Sequence, residues 1–253
     1  MKKAFRTDTG KIRAHNEDSG GIFQTKNGVL AIVADGMGGH LAGDIASQMA
    51  VDYIKEQWEQ VTNELTPVEA EQWLKQTISD ANHRLYTYAE EHPDCKGMGT
   101  TLVTAICTDK HVTIAHIGDS RIYLLNENGF SLQTEDHSLV NELIKNGQLT
   151  KDEADMHPRK HVLLRALGTE KHIEADIRSL NWDQQDILLL CSDGLTNKVA
   201  EDVTEKIVRS DRTVEEKADE LIALANQAGG DDNITIAIIK HTVSDGNEKD
   251  DGA

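Results

Sequence analysis

The sequence predicts an α+β fold built on a mostly antiparallel sheet system, and three observations carry that prediction. Six short apolar runs rich in β-branched residues lie between turn signals, at 29–34, 102–107, 112–117, 122–125, 187–191 and 234–239. Two long amphipathic helical patterns separate the first run from the second, and a third precedes the last. No internal repeat and no Pro- or Ser-rich linker divides the chain, which has only 3 prolines.

Each element follows from local chemistry. From Leu41, apolar residues recur at Ile45, Met49, Tyr53, Ile54, Trp58 and Val61, along one face of a helix. The next helix opens at "TPVE", where Thr66 is the N-cap, Pro67 takes the first helical position and Glu69 closes a capping box. Its stripe runs through Leu74, Ile78, Ala81, Leu85 and Tyr88 until His92-Pro93 stops it. Between 136 and 168 the pattern changes to two short helices, the second opened by the box Thr150–Glu153, with a basic pair at Arg159 and Lys160. That excursion is a flap or an ordinary surface helical hairpin, and its His137, His157 and His161 are expected to be exposed and without a role. The last helix begins at "TVEE" with Thr213 and Glu216, buries Val214, Ala218, Leu221, Ile222 and Ala225, and breaks at Gly229-Gly230. One domain over residues 1–241 is expected, followed by a polar, disordered tail over 242–253.

Composition narrows the function. With 26 basic and 44 acidic residues the formal charge is −18, which argues against general affinity for nucleic acid. No window holds the roughly 18 consecutive apolar residues of a membrane helix, and "MKKAFRTDTG" lacks the apolar region of a secretory signal. Three scattered cysteines, Cys95, Cys107 and Cys191, fit reduced thiols in a cytoplasmic protein.

The acids are informative by position. "LAIVADGMGGH", "HIGDSR", "LLLCSDG" and "GGDDNIT" place Asp35, Asp119, Asp193 and Asp232 at the ends of strand-like runs, three of them beside glycine. Carboxylates brought together at one sheet edge would repel strongly unless a cation lay between them. Candidate ligands that are all oxygens, with no clustered His or Cys, favour Mg²⁺ or Mn²⁺ over Zn²⁺. "RAHNED" adds Arg13, Glu17 and Asp18, and a guanidinium suits phosphate or carboxylate recognition.

The segments "RAHNED", "VADGMGGH", "GMGTT", "HIGDSR", "LLCSDGLTNKV" and "GGDDNIT" occur in this order from Arg13 to Thr235. Together they closely resemble the metal-dependent protein phosphatases of the type 2C family, nearest to compact bacterial members that partner PASTA-domain Ser/Thr kinases. The resemblance implies a central β-sandwich of two antiparallel sheets flanked by helices on both faces, an α-β-β-α arrangement with a helical flap. It implies that Asp35 bridges two metals, that the Gly36 carbonyl binds one of them, and that Asp193 and Asp232 bind the other. Glu17 and Asp18 would hold metal-bound waters, Asp119 with Asp193 would hold a third ion, and Arg13 would grip the substrate phosphate. The reaction implied is hydrolysis of phosphoserine and phosphothreonine by a metal-bridging hydroxide, without a phosphoenzyme. Animal members place a histidine directly after the Asp-Gly; here that residue is Met37, so His40 or a metal-bound water would protonate the leaving group. A monomer acting on phosphoproteins, among them a PASTA-type kinase, is the expected context.

Other chemistries fit less well. A thiol phosphatase needs an arginine six places after its cysteine, and those places hold Thr101, Thr113 and Asn197. No Walker loop or intact G-x-G-x-x-G is present. A glycosidase would leave the repeated Asp-Gly strand ends unexplained. A catalytically silent binding module on this fold is the alternative from another class, and a metal-dependent phosphodiesterase is the third reading.

Overall fold

The computed structural model describes residues 1–39 and 42–242. Chain order begins with strands β1 (Lys2–Asp8), β2 (Asp18–Thr25) and β3 (Gly28–Met37), then helices α1 (Ala42–Glu59) and α2 (Pro67–Glu91). After a 3-10 turn at Pro93–Cys95 come β4 (Gly99–Thr100), β5 (Leu102–Cys107), β6 (His111–Ile117), β7 (Arg121–Asn126) and β8 (Gly129–Leu132). The excursion carries α3 (Leu139–Lys145) and α4 (Lys151–Asp155), and the chain returns through β9 (Asp176–Asn181) and β10 (Ile187–Cys191). It ends with α5 (Asp193–Thr196), α6 (Glu201–Arg209), α7 (Val214–Gln227) and β11 (Ile234–Lys240).

Two antiparallel sheets stack face to face. One has the order β1-β11-β10-β7-β8 and the other β2-β3-β5-β6-β9, with β4 extending the end of β3. The continuous apolar strands are explained by burial on both faces. In β3, Val29, Ala31 and Val33 point between the sheets, against Leu188 and Leu190 of β10, while Leu30, Ile32 and Ala34 point outward under α1 and α2. On the far side, Leu189, Ile236 and Ile238 pack beneath α6 and α7. The layers are therefore α-β-β-α, as expected. No helix among the described residues is long and apolar enough to cross a membrane.

The predicted caps are present: Thr66, Thr150 and Thr213 each accept from the N3 backbone while Glu69, Glu153 and Glu216 reach back. The α1 stripe differs. Its fully buried residues include Ala46, Ala50, Ile54 and Trp58, whereas Ile45, Met49 and Tyr53 are only partly covered. Small side chains at Ala46 and Ala50 let the helix axis approach the sheet, so the buried seam runs through them to Ile54 and Trp58 and leaves Ile45, Met49 and Tyr53 at its edge. Strands β1, β2, β8 and β9 and helix α6 lie where no element was expected, because their polar positions interrupt an apolar run. The predicted tail, from residue 243 onward, lies outside the described residues.

The β2–β3 hairpin matters most for the site. A two-residue turn at Lys26-Asn27 joins the strands, and the register places Asp18 directly opposite Asp35.

Candidate metal-binding active site

Antiparallel pairing brings the C-terminal ends of β3, β6 and β10 to one end of the sandwich, with the N-terminal ends of β2, β7 and β11. A cavity of about 500 Å³ opens there, and Arg13, Glu17, Asp35, Asp119, Asp193 and Asp232 all face it. Six predicted residues from five separate segments therefore meet in one place. Gly36 also lines it. Asp18 lies buried just beneath, and His40 falls outside the described residues.

Asp35 does not stand at a strand tip as its Asp-Gly turn signal suggested. β3 continues through Gly36 and Met37 because β4 pairs with them, Gly36 against Thr100 and Met37 against Gly99. The Asp35 backbone is held from three sides. Its N–H donates to Thr101 Oγ1 (3.0 Å), and its carbonyl accepts the Thr101 N–H (2.8 Å) and the Thr100 hydroxyl (3.0 Å). The glycine after it is required by packing: a Cβ on Gly36 would sit 2.1 Å from the Gly43 carbonyl oxygen at the start of α1.

Asp193 begins the single turn of α5, where Asn197 donates to its Oδ2 at 2.9 Å. Asp232 sits in the turn into β11, and Arg13 Nη2 donates to its Oδ2 at 2.9 Å. Asn233 joins the N-terminal loop to this turn. Its amide donates to the carbonyls of Thr9 (2.9 Å) and His15 (3.0 Å), and its Oδ1 accepts the Glu17 N–H (2.7 Å). That loop is what carries Arg13 and Glu17 to the cavity.

The electrostatics are those of crowded acids. Burial first, and then the charges of Asp193 and Asp232, push the Asp18 carboxyl up to about 7 even though Ser192 donates to it at 2.7 Å. Burial and Asp193 likewise push Asp119 up to about 7. Asp35 is raised well above the usual carboxylate range by burial and by Asp18, and Asp193 is raised by burial and by Asp232. Within this crowd one oxygen of Asp18 and one of Asp193 are buried with no hydrogen-bond partner. Such atoms are costly unless something binds them. The donor set, all oxygen, fits a hard divalent cation. Among the described residues no three of these acids bring oxygens within 4.8 Å of one another.

Some residues of the cavity and its surroundings lie beyond what the sequence led us to expect. Lys160 and His161 of the excursion reach the cavity wall. The Arg159-Lys160 pair was the available signal; His161 was expected to have no role. His137 was also expected to be exposed, yet its side chain is 9% accessible and stacked on His116 at 4.7 Å between ring centres. Its partners lie on β6 and β9, far away in sequence, so no local pattern announces its burial. Thr100 and Thr101 follow the glycines of the "GMGTT" segment. Gly99 packs tightly, with a Cβ placed 2.7 Å from the Thr169 methyl, but the threonines hold Asp35.

Comparison with known proteins agrees with this geometry. A family profile described as protein phosphatase 2C matches residues 11–232. Serine/threonine phosphatase stp of Listeria monocytogenes serovar 1/2a is 51% identical over 245 residues, covering 96% of this chain and 97% of that one. Protein phosphatase PhpP of Streptococcus pneumoniae serotype 2 is 38% identical over 247 residues, covering 97% and 99%. Among solved structures, serine/threonine phosphatase Stp1 from Staphylococcus aureus matches with a TM-score of 0.90 and 40% identity, covering 95% of each chain. The catalytic domain of PstP in complex with two manganese ions matches with a TM-score of 0.81 and 32% identity, covering 94% and 96%.

Proposed function

Since this chain belongs to the protein phosphatase 2C family and is a metal-dependent serine/threonine phosphatase, we propose that phosphoserine and phosphothreonine are hydrolysed in the acid-lined cavity by direct displacement. The observation that carries this reading is the convergence of six carboxylates, Asp231 among them, on one cavity above buried oxygens that have no protein partner.

Asp35, the Gly36 carbonyl, Asp193 and Asp232 would hold two core ions, with Glu17 and Asp18 reaching them through waters. Asp119 and Asp193 would hold a third. Mn²⁺ and Mg²⁺ both suit these ligands. When bound, the cations supply Lewis acidity that brings the pKa of water towards neutrality and offsets charge on the phosphoryl oxygens. The chain supplies the rest. Arg13 has five N–H donors and spends one on Asp232, leaving others for the phosphate. Among the described residues the one hydroxyl lining the cavity is Thr101, already bound to the Asp35 N–H and to Ser120 at 2.8 Å. All three cysteines are buried and none lines the cavity. That leaves no free hydroxyl or thiol on the cavity wall among the described residues, which is in keeping with attack by water. His40 or a solvent water would protonate the leaving alkoxide.

The substrates proposed are phosphoproteins, including a PASTA-type Ser/Thr kinase that this enzyme would oppose as a cytoplasmic monomer. The test is hydrolysis of p-nitrophenyl phosphate and a phosphothreonine peptide with Mn²⁺, against the same sample in EDTA. Asp35→Asn and Asp193→Asn should each lose about 100-fold or more in kcat/KM. Turnover unaffected by chelation would overturn the metal-dependent reading. No turnover under any metal would leave a phosphopeptide-binding module, and preference for a diester would make the protein a phosphodiesterase.

A further inference from the structure

We propose that His137 is a positioning residue that fixes the Gly118–Asp119 corner and so ties the root of the flap to the candidate cation ligand Asp119. This rests on the reading of Asp119 as a cation ligand.

Both backbone polar groups of Gly118 end on His137. The His137 N–H donates to the Gly118 carbonyl at 2.9 Å, and the Gly118 N–H donates to His137 Nδ1 at 3.2 Å. On its other side the corner has no room to move. Gly118 has φ +100°, and a Cβ there would lie 2.7 Å from the Thr101 side chain. Thr101 Oγ1 is the atom that accepts the Asp35 N–H, so the corner is pressed between the anchor of Asp35 and the His137 ring. The next residue, Asp119, faces the cavity.

The ring is set to accept. A backbone N–H can only donate, so Nδ1 must present its lone pair and the proton must sit on Nε2, facing Asp176 Oδ2 at 3.3 Å. Burial lowers the His137 pKa, which keeps that lone pair free near neutral pH. The ring plane is fixed by stacking on His116, whose own Nε2 is tied to the Glu135 carbonyl at 2.9 Å. The flap also returns to this residue. Leu164 donates to the His137 carbonyl at 2.7 Å, and Arg165 pairs with Asp176 at 3.2 Å. One residue thus touches the entry of the flap, its exit and the neighbour of a candidate ligand. The ligand atoms of His116, His137 and Asp176 do lie within 4.8 Å of one another. Both nitrogens of His137 are already engaged in hydrogen bonds, so the cluster works as a brace and not as a metal centre.

Two near-isosteres separate this role from plain packing. Asparagine places an acceptor where Nδ1 stands but cannot reach Asp176; glutamine reaches towards Asp176 but offers nothing to the Gly118 N–H. Mn²⁺ binding to wild type, His137→Ala, His137→Asn, His137→Gln and Asp119→Asn would be followed by calorimetry and by Mn²⁺ paramagnetic resonance. Thermal midpoints and the Mn²⁺ dependence of phosphopeptide turnover would be measured on the same samples. Asp119→Asn should lose the weakest Mn²⁺ class. His137→Gln and His137→Ala should weaken that class about tenfold and leave the tighter sites unchanged, whereas His137→Asn should remain within about twofold of wild type. If Asp119→Asn weakens Mn²⁺ binding but His137→Ala does not, the positioning role is wrong. Rescue by glutamine and not by asparagine would also overturn it, since the ring would then act through Asp176 alone. If Asp119→Asn itself binds Mn²⁺ like wild type, the assignment of Asp119 fails and the inference falls with it. Should His137→Ala not fold, the asparagine–glutamine comparison still decides.

Discussion

Removing divalent cations should make the fold depend on pH in the opposite sense from ordinary acid denaturation. Asp18 is buried, with one oxygen on Ser192 and the other without a partner, and its carboxyl is pushed up to about 7 from 3.8. A carboxyl whose pKa is raised by folding binds more protons in the native state than in the unfolded state between those two values. Its stability contribution is therefore intact below about pH 4, falls as pH climbs, and is fully lost above about pH 7. Three pH units at ~1.4 kcal/mol each come to ~4 kcal/mol, of which ~2 kcal/mol falls between pH 5 and 7. Against a total of about 5–15 kcal/mol for a domain, that is a large fraction. Asp35, Asp119 and Asp193 shift in the same direction. The assay is the thermal midpoint followed by circular dichroism from pH 5 to 8, in EDTA and in Mn²⁺. In EDTA the midpoint should fall as pH rises, and Mn²⁺ should restore it by binding the native state. Asp18→Asn keeps an acceptor for Ser192 but cannot ionise, so its midpoint should fall less steeply. A midpoint that stays level or rises with pH in EDTA would refute the reasoning, as would an Asp18→Asn slope equal to wild type.

Two further predictions concern packing. A Cβ on Gly194 would sit 1.9 Å from the Asn233 carbonyl oxygen, so Gly194→Ala should cost about 3 kcal/mol or more by urea denaturation; a loss under about 1 kcal/mol would contradict that contact. Lys217 is 1% exposed, its Nζ donates to the Val208 carbonyl at 2.8 Å, and burial lowers its pKa. Lys217→Met keeps the volume and removes the buried charge, so it should lie within about 1 kcal/mol of wild type or above it. Lys217→Ala, which leaves a cavity, should lose about 2 kcal/mol or more.

The sequence made the strongly patterned parts legible. Strands β5 and β10 were found to the residue, and the three capping boxes marked helix starts, because those signals are local. β9 was not, since an edge strand with alternating exposed positions carries no apolar run. The same division holds in the cavity. Asp35, Asp119, Asp193 and Asp232 stood out beside turn signals, and the order of the motifs suggested that they meet. Thr101, which holds Asp35, Asn233, which holds the loop of Arg13 and Glu17, and Ser192, which bonds Asp18, act through hydrogen bonds to distant segments and leave no periodic trace. His137 is the extreme case: its surroundings come from β6, the loop after it and β9, which only the folded chain assembles.

The β2–β3 hairpin has a consequence for how this chain can vary. Seven paired steps of roughly 3.4 Å separate the Thr25–Gly28 pair from the Asp18–Asp35 pair, a lever about 24 Å long. A strand shifted by one residue turns every side chain to the opposite face. The bend at Lys26-Asn27 is therefore fixed in length, because one added or missing residue there would rotate Asp35 out of the cavity from the far end of the molecule, and Asn27 is itself tied down by a bond from its amide to the Val61 carbonyl at 2.6 Å.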